Sequence, residues 1–252
     1  MAVLGVDIGG SGIKAAPVDT DKGILLAERF RVETPQPATV AAVAPLLQEI
    51  VHHFEWHGVV GCGYPGVIKR GTIFTAANVD STWMGLDASS FLEQVTGCQT
   101  YMINDADAAG LAEMHFGAGV DQRGVVLVLT IGTGIGTAMF VDGMLVPNLE
   151  LGHIQIRGKD AEHRASNRVR VERDLSWRKW AARLNEYLMY LENLLWPDLI
   201  IIGGGVSKSF AKYAPHIVTR APVVAAKTYN DAGIIGAAMT AFHPESIGLP
   251  GE

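Results

Sequence analysis

The same strand, glycine turn and strand occur twice in this sequence, about 120 residues apart. The first copy has apolar stretches at 2–8 and 12–18 around its turn. The second runs from Val125–Leu129 through a turn at 132–136 into Thr137–Val141. Glycine permits the tight backbone that such turns require. The repeat predicts an α/β chain whose two halves begin with the same arrangement of strands. Since no low-complexity linker separates the two copies, we expect the halves to be joined at a hinge.

Periodicity places the remaining helices and strands. Apolar residues at helical spacing predict helices, with Gly97 as a helix end, and short apolar runs predict strands. Pro45 is expected to start or kink the first helix, and Asp231 to cap the last. The predicted helices are 40–54, 87–96, 106–114, one through Leu175–Leu195, and 231–242; the predicted strands are 24–32, 58–63, 100–103 and 199–202.

Composition excludes several classes of protein. A hydrophobic content of 48% over 252 residues supports a substantial core, which excludes a disordered or fibrous chain. No run of about eighteen apolar residues could span a membrane, and Met1 leads directly into the first strand, so we expect a cytoplasmic protein without a membrane partner. The net charge of −6 argues against nucleic acid as a partner. Cys62 and Cys98 lie far apart, which predicts neither a disulfide framework nor a zinc site.

The first glycine turn has the residue types of a phosphate-binding loop. A carboxylate ends the preceding strand, glycines let backbone N–H groups approach phosphate oxygens, and Ser11 and Lys14 add a donor and a charge. An ordinary hairpin that contains Asp7 is the alternative interpretation. The residues assigned to phosphate here are Asp7, Gly9, Gly10, Ser11, Gly12 and Lys14.

The second glycine turn would supply another phosphate cradle, from Thr130, Gly132, Thr133 and Gly134. A dinucleotide fingerprint is the rival interpretation, with Glu150 eighteen residues after the first glycine as a ribose ligand. The spacing is GxGxG rather than GxGxxG, however, and the next residues alternate as a strand where that fingerprint needs a helix. The sequence also lacks the GxxxxGK[ST] string of a Walker phosphate loop.

Two short polar motifs are candidates for chemistry. Asn104 and Asp105 lie where a strand meets a helix, so that Asp105 can accept the proton of an attacking hydroxyl; a helix N-cap is its alternative role. Glu150 and His153 are three residues apart and can reach one ligand. Hydrogen bonds to a polyol suit them better than a metal half-site, because no partner cluster is visible, and an exposed turn is the alternative.

Positive charge is concentrated in one segment. Nine Lys and Arg residues lie between Arg157 and Arg183 against four Asp and Glu residues, a local net charge of +5. A solvated helix and loop with acidic neighbours in space is one interpretation. A groove that binds an anion is the other.

Taken together, the motifs resemble the ROK family of bacterial sugar kinases and repressors. The match spans almost the whole chain, and the order and spacing of the motifs are specific although each motif is weak. Ser176–Trp180 and Gly203–Lys208 are most like the members that use inorganic polyphosphate. The motifs are Asp7-x-Gly-Gly-x-x-x-Lys14, Tyr64-Pro65-Gly66, Asn78, Asn104-Asp105, the turn from Thr130 to Gly136, Glu150-x-Gly-His153, Gly203-Gly204-Gly205 and Asp231-Ala-Gly-x-x-Gly236.

The resemblance implies a hexose kinase with Asp105 as the base that deprotonates the sugar 6-hydroxyl. It implies Mg²⁺ as cofactor, held by Asp7 through water, and Gly204 and Gly205 near the phosphoryl donor. Glucose or mannose is the implied acceptor, and polyphosphate, ATP or both the implied donor. The residues implied to bind the sugar are Gly66, Asn78, Asn104, Asp105, Glu150 and His153, with Glu172 as a candidate for a further glutamate ligand.

The chain departs from the family at one place. Many members carry a cysteine-rich zinc motif soon after the histidine of Glu-x-Gly-His, whereas residues 154–175 contain no cysteine, so we expect no zinc. The basic segment stands there instead, which favours a polyphosphate groove. The residues assigned to that groove are Lys159, Arg164, Arg168, Arg170 and Arg173.

The resemblance implies an α/β fold of the two-lobed actin-like ATPase (ribonuclease H-like) class, with the hexose between the lobes. We expect a small lobe at 1–108, a larger lobe at 109–236, and a C-terminal helix at 237–252 that packs back on the first. Apolar residues on the long helix suit a homodimer as well as a core. The alternatives are an ATP-dependent hexokinase of the same fold and a non-catalytic sugar-binding or sensor protein; a repressor is disfavoured because only Met1 precedes the first strand.

Overall fold

A computed structural model describes residues 1–77 and 79–241. Asn78 and the end of the predicted last helix at Phe242 therefore lie outside the described residues, as does most of the segment 237–252.

The strands follow the repeat in the sequence. They are β1 Ala2–Ile8, β2 Ile13–Asp19, β3 Ile24–Leu25, β4 Phe30–Val32, β5 Val60–Tyr64, β6 Ile68–Lys69, β7 Thr72–Ile73, β8 Thr100–Asn104, β9 Val125–Ile131, β10 Ile135–Val141, β11 Met144–Val146, β12 Gln155–Ile156, β13 Lys159–Asp160, β14 Leu199–Gly203 and β15 Val223–Ala225. The predicted strand at 24–32 is two short strands, β3 and β4, both of which pair with β2.

The helices are α1 Val40–His53, α2 Ala88–Thr96, α3 Asp105–Phe116, α4 Glu162–Ala165, α5 Asn167–Glu172, α6 Trp177–Leu195, α7 Phe210–Tyr213 and α8 Ala232–Thr240, with short 3₁₀ helices between them. Pro45 lies inside α1 rather than at its start. The helix forms despite the missing N–H because Thr39 caps it and Val43, Leu47 and Ile50 bury one face. As predicted, α2 ends at Gly97, which is left-handed.

The described chain divides into two compact units. One contains Met1–Ala112 and the described residues from Asp231 to Ala241, and the other contains Glu113–Asn230. None of the described helices combines the length and the apolar composition that a membrane crossing requires.

The sheet of the first unit has the strand order β3-β2-β1-β5-β8, and β4 also pairs with β2. β1 is antiparallel to β2 but parallel to β5, and β5 is parallel to β8. The carboxyl ends of β1, β5 and β8 therefore lie at one edge of the sheet. α8 packs on β1 and β5.

The last helix explains a glycine motif of the sequence. A Cβ atom at Gly233 would lie 3.0 Å from the Asp7 carboxyl carbon, and one at Gly236 would overlap the Ala108 carbonyl oxygen, so both positions need a hydrogen for close packing. Asp231 stands at the N-cap position as predicted, but its side chain makes no capping bond. Its Oδ1 accepts a hydrogen bond from Arg29 Nη1 at 3.0 Å instead, so the predicted capping role is wrong.

The second unit contains a sheet with the order β11-β10-β9-β14-β15. β10 follows the glycine turn as an antiparallel partner of β9, whereas β14 is parallel to β9. A strand after the turn is incompatible with the dinucleotide fingerprint, which requires a helix there. The apolar residues of α6, including Trp180, Leu184 and Leu188, are buried in the core, so the homodimer stays a prediction.

Candidate active site

Asp7 lies at the end of β1, directly before the first glycine turn. It pairs in register with Lys14 of β2, and the Lys14 Nζ lies 3.3 Å from the Asp7 Oδ2. The Asp7 side chain is 17% exposed and contacts the first turn of α8 at Gly233. The sheet and α8 thus hold this carboxylate in one place while leaving part of it open.

The first glycine turn is oriented by β4 and the segment that follows it. Thr34 Oγ1 donates to the Gly9 carbonyl at 2.6 Å, Gln36 Nε2 to the Gly10 carbonyl at 3.2 Å, and Arg31 Nη2 to the Ser11 carbonyl at 3.2 Å. In a trans peptide the carbonyl and the next N–H point in opposite directions. The N–H groups of residues 10–12 therefore point away from these three side chains, as a phosphate-binding turn requires.

Asn104, not Asp105, caps α3. The Asn104 Oδ1 accepts from the N–H groups of Ala106 at 2.9 Å and Asp107 at 3.0 Å, which is the bonding of an N-cap residue. Its Nδ2 donates to the Gly66 carbonyl at 3.1 Å, so the buried Asn104 also fixes the loop after β5. This use of the Asn104 amide was not predicted.

Asp105 is the first residue of α3 and is partly buried. Its Oδ1 accepts from the Ala106 N–H at 2.8 Å. Because Asn104 fills the N-cap position, the alternative interpretation of Asp105 as the cap is not needed to explain this helix end.

Asp7 and Asp105 share one edge of the sheet. Asp7 pairs with Gly63 of β5, and a Cβ atom at Gly63 would lie 3.8 Å from the Asp105 Cα. One strand therefore separates the two carboxylate residues, which places their backbones about 10 Å apart, or two strand spacings. Within the first unit the structure thus brings together the first turn, Gly66, Asn104 and Asp105.

The glycine turn of the second unit has a similar closure. The Gly132 N–H donates to the Gly134 carbonyl at 3.0 Å, as the Gly9 N–H does to the Gly12 carbonyl at 3.1 Å. The Gly203–Gly205 turn lies beside it, because Gly203 pairs with Thr130 and Gly204 contacts the backbone of Ile131. Thr130, Gly132, Thr133, Gly134, Gly204 and Gly205 are therefore neighbours at one sheet edge.

Glu150 precedes a 3₁₀ helix, Leu151–His153, that lies against β10, and His153 is its last residue. Thr137 holds it there, since its hydroxyl donates to the Leu149 carbonyl at 2.5 Å and accepts from the Leu151 N–H at 3.1 Å. The His153 Nε2 is 3.7 Å from the Glu150 Oε2, and both side chains are partly exposed. That these two residues bind one ligand stays a prediction.

Two further carboxylates lie near this pair and were missed in the sequence. Asp160 Oδ2 is 2.9 Å from the His153 Nδ1. Glu162 Oε2 accepts from the Ile135 N–H at 3.2 Å, directly after the glycine turn. By contrast, the candidate Glu172 stands at the exposed end of α5.

The carboxylates shift the proton affinities at this site. Partial burial raises the pKa of Glu150, with Glu162 adding to the effect and His153 opposing it. The hydrogen bond to Asp160 is the main cause that raises the pKa of His153. The same bond lowers the pKa of Asp160.

The basic segment is partly neutralised. Arg164 Nη2 and Arg157 Nε each lie 2.6 Å from a carboxylate oxygen of Glu186 on α6. Arg170 stacks on Trp177, with its guanidinium carbon 4.1 Å from the ring centroid. Lys159, Arg168 and Arg173 are exposed. Arg164 therefore has an acidic neighbour in the folded chain, as the interpretation of this segment as a solvated helix and loop requires.

Arg168 has the clearest connection to the glycine turn. Its backbone N–H donates to the Gly132 carbonyl at 3.2 Å, which places the start of α5 beside the turn. Burial, together with the charges of Arg173 and Arg164, lowers the pKa of Arg183. The charges of Arg164, Arg173 and Arg183 therefore act on one another in this part of the unit.

In the described part of the chain, no three His, Cys, Asp or Glu residues are arranged so that they could hold a metal ion. Cys62 and Cys98 are both buried and free. Burial raises the pKa of the Cys62 thiol well above its ordinary value. These two residues pack in the core of the first unit.

Comparison with known proteins identifies the family. The ROK family model matches residues 3–168. The polyphosphate glucokinase of Mycobacterium tuberculosis (strain ATCC 25618 / H37Rv) is 48% identical over 94% of this chain and 89% of that protein. The crystal structure of inorganic polyphosphate/ATP-glucomannokinase from Arthrobacter sp. strain KM is 47% identical, with a TM-score of 0.88 over 94% of this chain and 97% of that chain.

A more distant relative has the same fold. The ROK family glucokinase from Streptomyces griseus, solved in complex with glucose and AMPPNP, is 26% identical, with a TM-score of 0.82 over 94% of this chain and 98% of that chain. The predicted α/β, actin-like ATPase fold is confirmed by these neighbours. The matching family model and the 48% identity confirm the resemblance seen in the motifs: this chain belongs to the ROK family.

Proposed function

We propose that this protein is a polyphosphate glucokinase, which transfers a phosphoryl group from inorganic polyphosphate to the 6-hydroxyl of glucose. The observation that carries the proposal is the 48% identity, over 94% of the chain, to a protein with that activity in its name. ATP is a second donor and mannose a second acceptor in the proposal, because a relative of 47% identity is named a polyphosphate/ATP-glucomannokinase.

Asp105 is the general base in this proposal. The 6-hydroxyl oxygen attacks the terminal phosphorus, its proton passes to the Asp105 carboxylate, and the bond from that phosphorus to the bridging oxygen of the donor breaks. The shortened polyphosphate leaves with the electron pair of the broken bond. The partly buried position of Asp105 at the start of α3 supports this role, since the backbone holds the carboxylate while part of it stays open.

The sugar is held by polar groups that donate or accept hydrogen bonds. Asn104, Glu150 and His153 bind ring hydroxyls in the proposal, together with Gly66 and Asn78. Glu172 is the weakest member of the set because it lies at the exposed end of α5, whereas Glu162 lies beside the second glycine turn.

The donor is bound by the two glycine turns. In the proposal, hydrogen bonds for phosphate oxygens come from the N–H groups of residues 10–12 in the first unit and from those of the Gly132 and Gly204 turns in the second. Asp7 fits Mg²⁺, because magnesium prefers carboxylate oxygen and keeps several waters, and Lys14 occupies only one side of the carboxylate. The metal would neutralise charge on the phosphoryl group.

The test of this function supplies each donor alone. Purified protein is incubated with Mg²⁺, glucose or mannose, and either polyphosphate or ATP, and the sugar 6-phosphate is measured with a coupled dehydrogenase. We expect product with polyphosphate and glucose. Product with ATP only would reduce the proposal to an ATP-dependent hexokinase, and no product with either donor would refute it in favour of a binding protein.

Charge reversal at Arg168 should weaken the use of polyphosphate. We propose that Lys159, Arg164, Arg168, Arg170 and Arg173 line a groove for the chain of phosphates, with Arg168 next to the glycine turn. Loss of one close charge contact and addition of a repelling one should lower kcat/KM for polyphosphate by about tenfold or more in Arg168→Glu, with a smaller effect on ATP. The initial rate at several polyphosphate concentrations measures this.

Arg123→Glu is the matched control for the charge change, because Arg123 is an exposed arginine of the same unit outside this segment. It should leave kcat/KM for polyphosphate near that of the wild type. Added salt should weaken the use of polyphosphate in the wild type more than in Arg168→Glu. Equal rates and equal salt dependence in Arg168→Glu and the wild type would refute the groove.

A further inference from the structure

Asp160 is bonded to two side chains of one hairpin. Its Oδ2 lies 2.9 Å from the His153 Nδ1, and its Oδ1 accepts a hydrogen bond from the Gln155 Nε2. Gln155 and Asp160 stand opposite each other in the β12–β13 ladder, so the backbone sets their separation. With both oxygens engaged, the Asp160 carboxylate has a fixed orientation relative to the His153 ring.

The chemistry of the two groups determines where the ring carries its hydrogen. An ionised carboxylate has no hydrogen to donate, so the nitrogen that faces it must be the donor. The His153 Nδ1 therefore carries the hydrogen. The other nitrogen, Nε2, faces Glu150, 3.7 Å from its Oε2. Asp160 thus selects Nε2 as the atom that His153 presents beside Glu150.

We propose that Asp160, held by Gln155, is a positioning residue for sugar binding, which fixes the His153 ring so that Nε2 faces the hexose. The inference rests on the proposed function, which assigns His153 and Glu150 to ring hydroxyls. Asp160 does not touch the sugar and acts through His153. In this respect it resembles the carboxylates that orient histidine ligands in metal sites, where the second ring nitrogen donates to the carboxylate.

The electrostatics of the site support this role. The pKa of His153 is raised chiefly by the hydrogen bond to Asp160, and the charges of Glu162, Glu150 and Asp160 act in the same direction. The pKa of Asp160 is lowered by the same bond, so the carboxylate stays ionised. The ring is then protonated up to a higher pH than an ordinary histidine, and a protonated Nε2 can donate to a hydroxyl whose own hydrogen is accepted by Glu150.

Asp160→Asn tests the proposal in the full-length protein. The ring nitrogens of His153 are followed by ¹⁵N NMR as a function of pH, with His153→Gln used to assign the signals. In the wild type we expect the neutral ring to carry its hydrogen on Nδ1 and to titrate above the ordinary pKa of about 6.5. In Asp160→Asn the pKa should fall and the hydrogen should shift towards Nε2. The KM for glucose should rise about tenfold, the value of one charge-assisted hydrogen bond, with a smaller change in kcat.

Asp121→Asn is the control for the loss of one negative charge, since Asp121 is exposed and lies outside the site. It should change neither the His153 titration nor the KM. If Asp160→Asn unfolds, Gln155→Ala frees one carboxylate oxygen while keeping Asp160, and should move both quantities in the same direction by less. A wild-type His153 with its neutral hydrogen on Nε2, or a KM that does not change when the tautomer does, would overturn the proposal.

The NMR titration needs no phosphoryl transfer. If the wild type forms no sugar phosphate with any donor, the proposed function fails, while the tautomer of His153 still tests the contact with Asp160. If the wild type is active and the His153 titration is the same in Asp160→Asn, the proposed function stands and the positioning role of Asp160 is wrong.

Discussion

Asp105→Asn should lower kcat by about 10²–10⁴-fold, the range that a general base contributes. Asparagine has nearly the same shape, and its Oδ1 can still accept from the Ala106 N–H, as the Asp105 Oδ1 does at 2.8 Å. It cannot take up a proton, because an amide is not basic in this pH range. The start of α3 should stay intact, since Asn104 supplies the bonds of the cap. The variant should therefore fold and bind glucose while losing turnover.

The measurement combines three quantities. The initial rate with polyphosphate gives kcat, a glucose titration by calorimetry gives the sugar affinity, and thermal unfolding shows whether the fold is kept. Glu93→Gln, at an exposed carboxylate on α2, makes the same chemical change away from the site and should be active. Turnover near the wild-type value in Asp105→Asn would remove Asp105 from the mechanism, and a large loss of thermal stability would show that its role is structural.

The sequence predicted the parts of the site that depend on neighbouring residues. A strand that ends in a carboxylate and a glycine turn is local information, so the neighbourhoods of Asp7 and Gly132 could be placed before the fold was known. The order of the strands was not predicted, but parallel strands bring their carboxyl ends to the same edge of a sheet. Asp7 and Asp105 lie at such an edge, with one strand between them.

Contacts between distant residues could not be predicted in this way. Asp231 has the spacing of a helix cap, but Arg29, 202 residues earlier, takes its carboxylate. Arg164 belongs to a strongly basic segment, but Glu186 neutralises it from α6. Asp160 and Glu162 lie in that same segment and were counted only as charges to be subtracted. Their partners depend on how the hairpin and α4 fold against β10, which single-sequence patterns do not contain.

Gly61→Ala should strongly destabilise the first unit. Gly61 is buried in β5, and a Cβ atom there would overlap the carbonyl oxygen and carbon of Ala237 in α8. Because the obstacle is backbone, no side chain can rotate away to relieve it, and the helix must move. Overpacking of this kind costs about 1–3 kcal/mol or more, from a total stability of about 5–15 kcal/mol. The melting temperature should fall by roughly 2–12 °C.

Gly61→Ala should lower the activity as well as the stability, because the first turn of α8 packs against the Asp7 carboxylate at Gly233. Movement of α8 away from β5 would disturb that contact, so the kcat of Gly61→Ala should fall at temperatures where the protein is still folded. Gly132→Ala is the control for stability: the same methyl group there meets no heavy atom within 4 Å. Its melting temperature, measured by calorimetry, should stay close to that of the wild type. Equal melting temperatures for Gly61→Ala and Gly132→Ala would mean that α8 does not pack on β5 as closely as this structure requires.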